Sequence, residues 1–122
     1  MIDLSSFANR RVRGEFVIRT VELSHAPLRD ALGRDAVAKT RVIGRELHIT
    51  LRSGQSDEEV SVSLYHEVLE AATIASASPP RHVLEFNEGD FEQVARTAHG
   101  RWGPVSPENL DRMLQFYDFE SQ

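Results

Sequence analysis

The feature that most constrains this chain is a long helix predicted over residues 56–76. Ser56-Asp57-Glu58-Glu59 has the pattern of a capping box, in which a serine and a glutamate three positions later each satisfy a backbone N–H group of the other. Its acidic residues also place negative charge in the first turn, where the helix dipole favours it. Pro79-Pro80 cannot continue a helix. We therefore expect one helix with a well-specified start and end.

Apolar residues recur along this segment at helical spacing and predict the face that the helix buries. The residues of this stripe are Val60, Leu64, Tyr65, Val68, Leu69, Ala71, Ala72 and Ala75. His66 and Glu70 lie at its border, four positions apart, so both side chains can approach one point in space. We expect a partly buried polar site at that border.

The segment His66-Glu67-Val68-Leu69-Glu70 differs at one position from the HExxH motif of zinc peptidases, because Glu70 stands where the motif has its second histidine. In that motif the glutamate beside the first histidine is the general base that acts on water. Zinc accepts imidazole nitrogen and carboxylate oxygen alike, so His66 and Glu70 can bind one ion. The alternative is that these side chains form only the solvated edge of an apolar helix.

Composition limits the classes of protein that this chain can belong to. Its 122 residues predict one domain, spanning 1–122, with 1–13 as a loosely packed N-terminal arm because those residues show no clear period. No apolar run approaches the roughly 18 residues that span a bilayer, and the N-terminus does not resemble a signal peptide. The absence of cysteine excludes disulfides and thiolate zinc sites. We expect a cytoplasmic protein that does not bind membranes.

The charge of the chain argues against nucleic acid as a partner. The formal net charge is −5, whereas phosphate contacts need clustered lysine and arginine side chains. Arg10-Arg11-Val12-Arg13 is the one dense basic cluster in the sequence. We interpret it as part of the solvated N-terminal arm rather than as a docking patch.

Three strands are predicted before the long helix. Residues 15–23 are rich in β-branched and aromatic types, and residues 46–52 alternate between apolar and polar types. Residues 41–43 form a third strand, and Gly44-Arg45 joins it to 46–52 as a hairpin turn or a bulge. A short helix is predicted over 28–32.

Two further helices are predicted after the Pro-Pro pair, following a short extended or irregular link over 81–86. Asn87-Glu88-Gly89-Asp90 has the composition of a helix start, and Gly100 or Gly103 ends that helix. Ser106 and Pro107 then open the last helix as N-cap and first helical residue.

Together these elements resemble the minimal zincin-like metallopeptidase domains. The resemblance covers residues 46–100 and depends on a strand, a capped helix with the core Leu64-x-His66-Glu67-x-Leu69-x-Ala71, a short link and a helix with an acidic start. In that family the motif commonly continues as His-Glu-Leu-Leu-His-Ala. The resemblance implies an α+β, zincin-like fold, in which a small mixed or antiparallel sheet packs on about three helices and the motif lies on the central one.

The resemblance also implies the roles of individual residues. It makes Glu67 the catalytic base and identifies His66, Glu70 and Glu88 as the ligands of a divalent metal, possibly zinc. Glu85 and His99 are alternative third ligands. Glutamate in place of the second histidine makes the site richer in oxygen, which moves its preference from zinc toward manganese.

These observations leave three hypotheses for function. The first is a metal-dependent, metallopeptidase-like hydrolase. The second is a catalytically inactive zincin-like module that acts through a peptide or protein partner, and the third is an unrelated α+β domain in which the His-Glu pair has no role. Exposed aromatic residues near the C-terminus would support the second hypothesis or a homodimer contact; these are Trp102, Phe116, Tyr117 and Phe119.

Overall fold

The structure is a computed structural model that describes residues 2–30, 32–76 and 79–119. Its strands, in chain order, are β1 (Arg10–Val12), β2 (Phe16–Ser24), β3 (Leu28–Arg29), β4 (Asp35–Ala36), β5 (Ala38–Ile43) and β6 (Glu46–Arg52). Its α-helices are α1 (Asp57–Ala75), α2 (Glu88–Trp102) and α3 (Pro107–Phe116), and two 3-10 helices span Leu4–Phe7 and Arg81–Glu85. The α+β class predicted from the sequence is confirmed, with three α-helices among the described residues.

The main sheet has four strands in the order β1-β2-β6-β5. Strands β2 and β6 are parallel, and the other two pairs are antiparallel, so the sheet is mixed. Strand β5 therefore lies at one edge. Strands β3 and β4 form a separate two-stranded hairpin between β2 and β5 in the chain.

The hairpin turn at Gly44-Arg45 is confirmed. The register pairs Ile43 with Glu46, so the loop between β5 and β6 contains two residues. Gly44 has a φ of +61°, which glycine adopts at little cost because it lacks a Cβ atom. The turn fixes which side chains of β5 face the helices. These are Ala38, Thr40 and Val42, which pair with the buried Leu51, Ile49 and Leu47.

The long helix α1 begins and ends as the sequence predicts. The Ser56 hydroxyl accepts the N–H of Glu59, and the Glu59 carboxylate accepts the N–H of Ser56, which completes the capping box. The helix ends at Ala75, one residue before the predicted limit. It packs on β5 and β6 on one side and on α2 on another, which explains why so much of its circumference is buried.

The expectation of a loosely packed N-terminal arm is wrong for the residues that the structure describes there. Phe7 is fully buried and Val12 is nearly so, because the 3-10 helix Leu4–Phe7 and strand β1 pack on β2. Arg10 and Arg11, the first two residues of β1, remain exposed. The hydrophobic periodicity of the sequence could not reveal that this segment belongs to the core, since a three-residue strand is too short to show a period.

The helix predicted over 28–32 is also wrong, because Leu28–Arg29 is strand β3. The Asp30 carboxylate accepts the backbone N–H groups of Leu32 and Arg34, which stabilises a turn instead of a helix. The link after Pro79-Pro80 forms a 3-10 helix, whereas an extended or irregular segment was predicted. Helix α2 ends at Gly103, one of the two predicted positions.

Replacement of Phe7 tests whether the N-terminal segment belongs to the core. Phe7→Ala should lower the free energy of unfolding by about 3–5 kcal/mol, because it leaves a cavity where a ring is buried. Chemical denaturation measures the change. Arg11→Ala, at an exposed position of β1, is the control and should change stability by less than about 0.5 kcal/mol. Equal effects of the two substitutions would contradict the packing described here.

Candidate metal centre

The candidate site forms where the first turns of α2 lie against the middle of α1. Helix α1 contributes His66, Glu67 and Glu70, and α2 contributes Glu88 and Glu92. The two α2 residues are four positions apart, so they project from the same face of that helix. Residues that are distant in sequence therefore meet through one helix–helix contact.

The imidazole of His66 lies at the centre of this group. Its Nε2 atom is 2.9 Å from Glu70 Oε2 and 3.2 Å from Glu88 Oε2. Its Nδ1 atom is 3.0 Å from Glu92 Oε1. The side chain is only 15% exposed, so both ring nitrogens are held largely out of water between carboxylates.

Glu67 points from α1 toward the sheet. The Thr40 hydroxyl, on edge strand β5, donates a 2.8 Å hydrogen bond to Glu67 Oε1. One ligand atom each from His66, Glu67 and Glu70 lies within 4.8 Å of the other two. This group could hold a metal ion, since one imidazole nitrogen and two carboxylate oxygens are a donor set that divalent cations accept.

The structure places the three candidates for the third ligand in different surroundings. Glu88 lies beside His66, although its side chain is 76% exposed. Glu85 is exposed in the 3-10 helix that precedes α2. His99 lies eleven residues after Glu88, about 16 Å farther along α2, so it cannot share the site and that alternative is wrong.

His99 instead completes a structural contact with α1. Its Nδ1 atom is 2.7 Å from the Ser61 hydroxyl, and the same hydroxyl accepts the backbone N–H of Val105 at 2.8 Å. Because Ser61 is fully buried, this serine–histidine pair is closed to a substrate. It fastens the end of α2 and the following loop to α1.

Three residues that hold the site together were not predicted from the sequence. Glu92 accepts a hydrogen bond from His66 Nδ1 and pairs with Arg96, whose Nη2 atom is 2.8 Å from Glu92 Oε2. The four-residue spacing of Glu88, Glu92 and Arg96 is the signal that could have identified them. Thr40 was predictable only in part, since its face of β5 follows from the alternation but its partner does not.

The carboxylates change how the site titrates. Burial lowers the pKa of His66, but hydrogen bonds to Glu70 and Glu92 outweigh that effect and raise the pKa to about 9. The same bond to His66 lowers the pKa of Glu70, while burial raises the pKa of Glu67. At neutral pH the metal-free protein therefore carries a proton on each ring nitrogen of His66. Binding of an ion through Nε2 would require the loss of the proton on that nitrogen.

A cleft of about 680 Å³ opens over this group. Helix α1 and the start of α2 form one wall, and strand β5 with the β3–β4 hairpin forms the other. Its lining contains carboxylates, and Leu32, Val37 and Ile74 contribute apolar surface to it. A ligand several residues long could therefore reach the candidate metal ligands.

The fold and the site thus define an α+β domain with a candidate metal centre on its central helix. Comparison of the chain with protein-family models, with curated proteins and with solved structures found no match. None of the helices among the described residues has both the length and the apolar character needed to cross a membrane.

Titration of the metal-free protein tests the environment of His66. Because its folded pKa of about 9 exceeds its ordinary value of 6.5, protonated His66 stabilises the fold fully below pH 6.5. That stabilisation, on the order of 2–3 kcal/mol, should be lost as the pH rises from 6.5 to 9. Urea denaturation in the presence of a chelator measures it. His66→Asn should remove most of this dependence, and an unchanged slope would contradict the assignment.

Replacement of Glu92 tests whether it orients His66 toward an ion. Glu92→Leu should weaken binding of zinc or manganese about 10–100-fold, because the Nδ1 proton loses its acceptor and the ring loses its fixed orientation. Glu92→Gln keeps an acceptor and should have a smaller effect. Competition with a chelating dye measures the affinity. Glu85→Leu, which removes an exposed carboxylate from the preceding 3-10 helix, is the control. Equal affinities for Glu92→Leu and this control would contradict the role of Glu92.

Proposed function

We propose that this protein is a metal-dependent hydrolase with metallopeptidase-like chemistry. The observation that carries this proposal is the convergence of His66, Glu67 and Glu70 on one point of an open cleft, with ligand atoms within 4.8 Å of one another. If these side chains formed only the solvated edge of a helix, they would not be expected to converge. Nor would carboxylates of a second helix be expected on both sides of the same imidazole.

In this proposal His66 Nε2 and the carboxylates of Glu70 and Glu88 would hold the cation. Two oxygen donors and one nitrogen donor suit manganese as well as zinc, so we propose one of these two ions. The ion supplies Lewis acidity, which polarises a carbonyl group and lowers the pKa of water. Glu92, which pairs with Arg96, would fix the orientation of the imidazole and leave Nε2 to bind the ion, because Nδ1 donates to Glu92.

Glu67 acts as general base in the proposed reaction. Its carboxylate accepts a proton from the attacking water, whose oxygen forms a bond to the carbonyl carbon. The carbon–nitrogen bond then breaks, and Glu67 passes that proton to the departing nitrogen, which leaves as an amine while the carbonyl carbon becomes a carboxylate. Burial supports this role, because it raises the pKa of Glu67 toward the pH at which the reaction would run. The Thr40 hydroxyl fixes Oε1, which leaves Oε2 as the acceptor for the proton.

The edge strand supports a peptide as the substrate. Arg52 N–H donates to Val37 C=O, which sets the alternation of hydrogen bonds between β5 and β6. The backbone groups of Ala38, Thr40 and Val42 consequently point away from β6. An extended peptide could pair with them and pass over the candidate metal ligands, as peptides do when they extend a sheet.

Two substitutions on α1 separate the base from the ligands. Glu67→Gln should leave metal affinity nearly unchanged and lower kcat by at least about 100-fold, since it removes the proton acceptor. Glu70→Gln should instead weaken metal binding by at least about 10-fold. A set of quenched fluorescent peptides and a chelator competition assay measure the two quantities. Glu58→Gln, exposed in the first turn of α1, is the control. If Glu67→Gln released the metal as Glu70→Gln does, Glu67 would be a ligand and the proposed mechanism would be wrong.

A second candidate function is an inactive module that binds a protein partner. Phe116 is 54% exposed, and the Arg101 guanidinium lies 4.7 Å from the centre of its ring. Trp102 and Tyr117 are half-buried beside it. Phe119, which the sequence suggested as exposed, belongs to the core instead. A metal-free protein without peptidase activity would favour this candidate, and gel filtration over a range of concentrations would separate a homodimer contact from a surface for a different protein.

A further inference from the structure

We infer that the cleft selects an extended peptide with an apolar side chain close to the bond that is cleaved, and that Ile74 is the main residue that recognises this side chain. The inference rests on the proposed function for the identity of that bond. It goes beyond that function because it states which peptides the cleft accepts.

The distribution of exposed apolar residues leads to this inference. Seven large hydrophobic side chains are exposed among the described residues, and three of these seven line the one cleft that contains the candidate metal ligands. Single exposed apolar residues are ordinary, but their concentration beside a polar site indicates contact with a ligand. The three are Leu32, Val37 and Ile74, which are 75%, 49% and 68% exposed.

Their positions place apolar surface on both sides of the metal ligands. Only four residues separate the end of β6 from the start of α1, and from this short connection we infer that α1 runs back over the sheet, antiparallel to β6 and hence parallel to β5. Ile74 lies one turn beyond Glu70, or about 6 Å along the axis of α1. Val37 precedes Thr40 by three residues, or about 10 Å along the strand in the opposite direction. A peptide paired with β5 advances about 3.3 Å per residue, so Ile74 lies within two or three residues of the site.

The charge of the cleft favours a peptide that carries an apolar side chain over one that carries an acidic side chain. Glu67, Glu70 and Glu88 line the cleft around His66, and a divalent ion would neutralise only part of their charge. Arg34 and Lys39 also line the cleft, but Arg34 is paired with Asp30 at 2.9 Å, and these two cations are outnumbered by six carboxylates in the lining: Asp30, Asp35, Glu67, Glu70, Glu88 and Glu92. A peptide that carried Asp or Glu near the metal would therefore be repelled, whereas a leucine side chain would bury surface against Ile74.

Hydroxamates test this inference without requiring catalysis, because they bind a metal directly. Two tripeptide hydroxamates that differ only in a leucine or an aspartate next to the hydroxamate are titrated by calorimetry into the full chain loaded with zinc or manganese. The leucine compound should bind at least about 10-fold more tightly. Ile74→Ser should reduce that ratio at least about 3-fold. Leu84→Ser is the matched control, because Leu84 is 59% exposed and lies outside the cleft lining, and it should leave the ratio unchanged.

The outcomes separate this inference from the proposed function. If the protein hydrolysed peptides but bound the two hydroxamates with equal affinity, the inference would be overturned and the hydrolase proposal would stand. A leucine preference that depends on Ile74, in a protein that hydrolyses no peptide, would support the selection of an apolar side chain by Ile74 and overturn the hydrolase. Failure of the metal-loaded protein to bind either compound, or equal effects of Ile74→Ser and Leu84→Ser, would overturn the inference. Both substitutions are on the surface, and thermal unfolding checks that each variant folds.

Discussion

The site depends on one interaction, the capture of the His66 imidazole between carboxylates of two helices. Glu70 approaches one ring nitrogen from α1, while Glu88 and Glu92 approach from α2. The histidine therefore links the central helix to its neighbour in a position with little access to water. The tilt and register of the α1–α2 contact decide whether these groups meet, because a shift of one residue would turn Glu92 away from the ring.

This arrangement has a consequence for the metal-free protein. Four glutamates in one small region repel one another, and a doubly protonated imidazole is the cation that offsets part of that repulsion. A divalent cation bound at the same place would take over that role and displace the proton on Nε2. Metal binding would thus release a proton from His66, and metal affinity would therefore depend on pH.

Much of the local structure could be predicted because it depends on neighbouring residues. The capping box at Ser56 and Glu59, the turn at Gly44 and the helix start at Asn87 are all local hydrogen-bonding or backbone effects. The N-terminal segment could not be predicted, since Phe7 is buried by the packing of its 3-10 helix on β2, which no local pattern shows. The turn after β3 could not be predicted, because the pattern of apolar residues does not show the hydrogen bonds that the Asp30 carboxylate accepts from the backbone of Leu32 and Arg34.

The sequence by itself determined that His66, Glu67 and Glu70 share a helix, because spacing and capping specify a helix locally. Only the tertiary structure decided what faces them. Thr40 contacts Glu67 from a strand 27 residues away, and Glu92 contacts His66 across 26 residues. Both contacts depend on packing between elements, and the separation of two elements in the chain does not tell whether they pack together. The same packing placed His99 about three turns from the site, although histidine is as suitable a metal ligand as the glutamate at position 88.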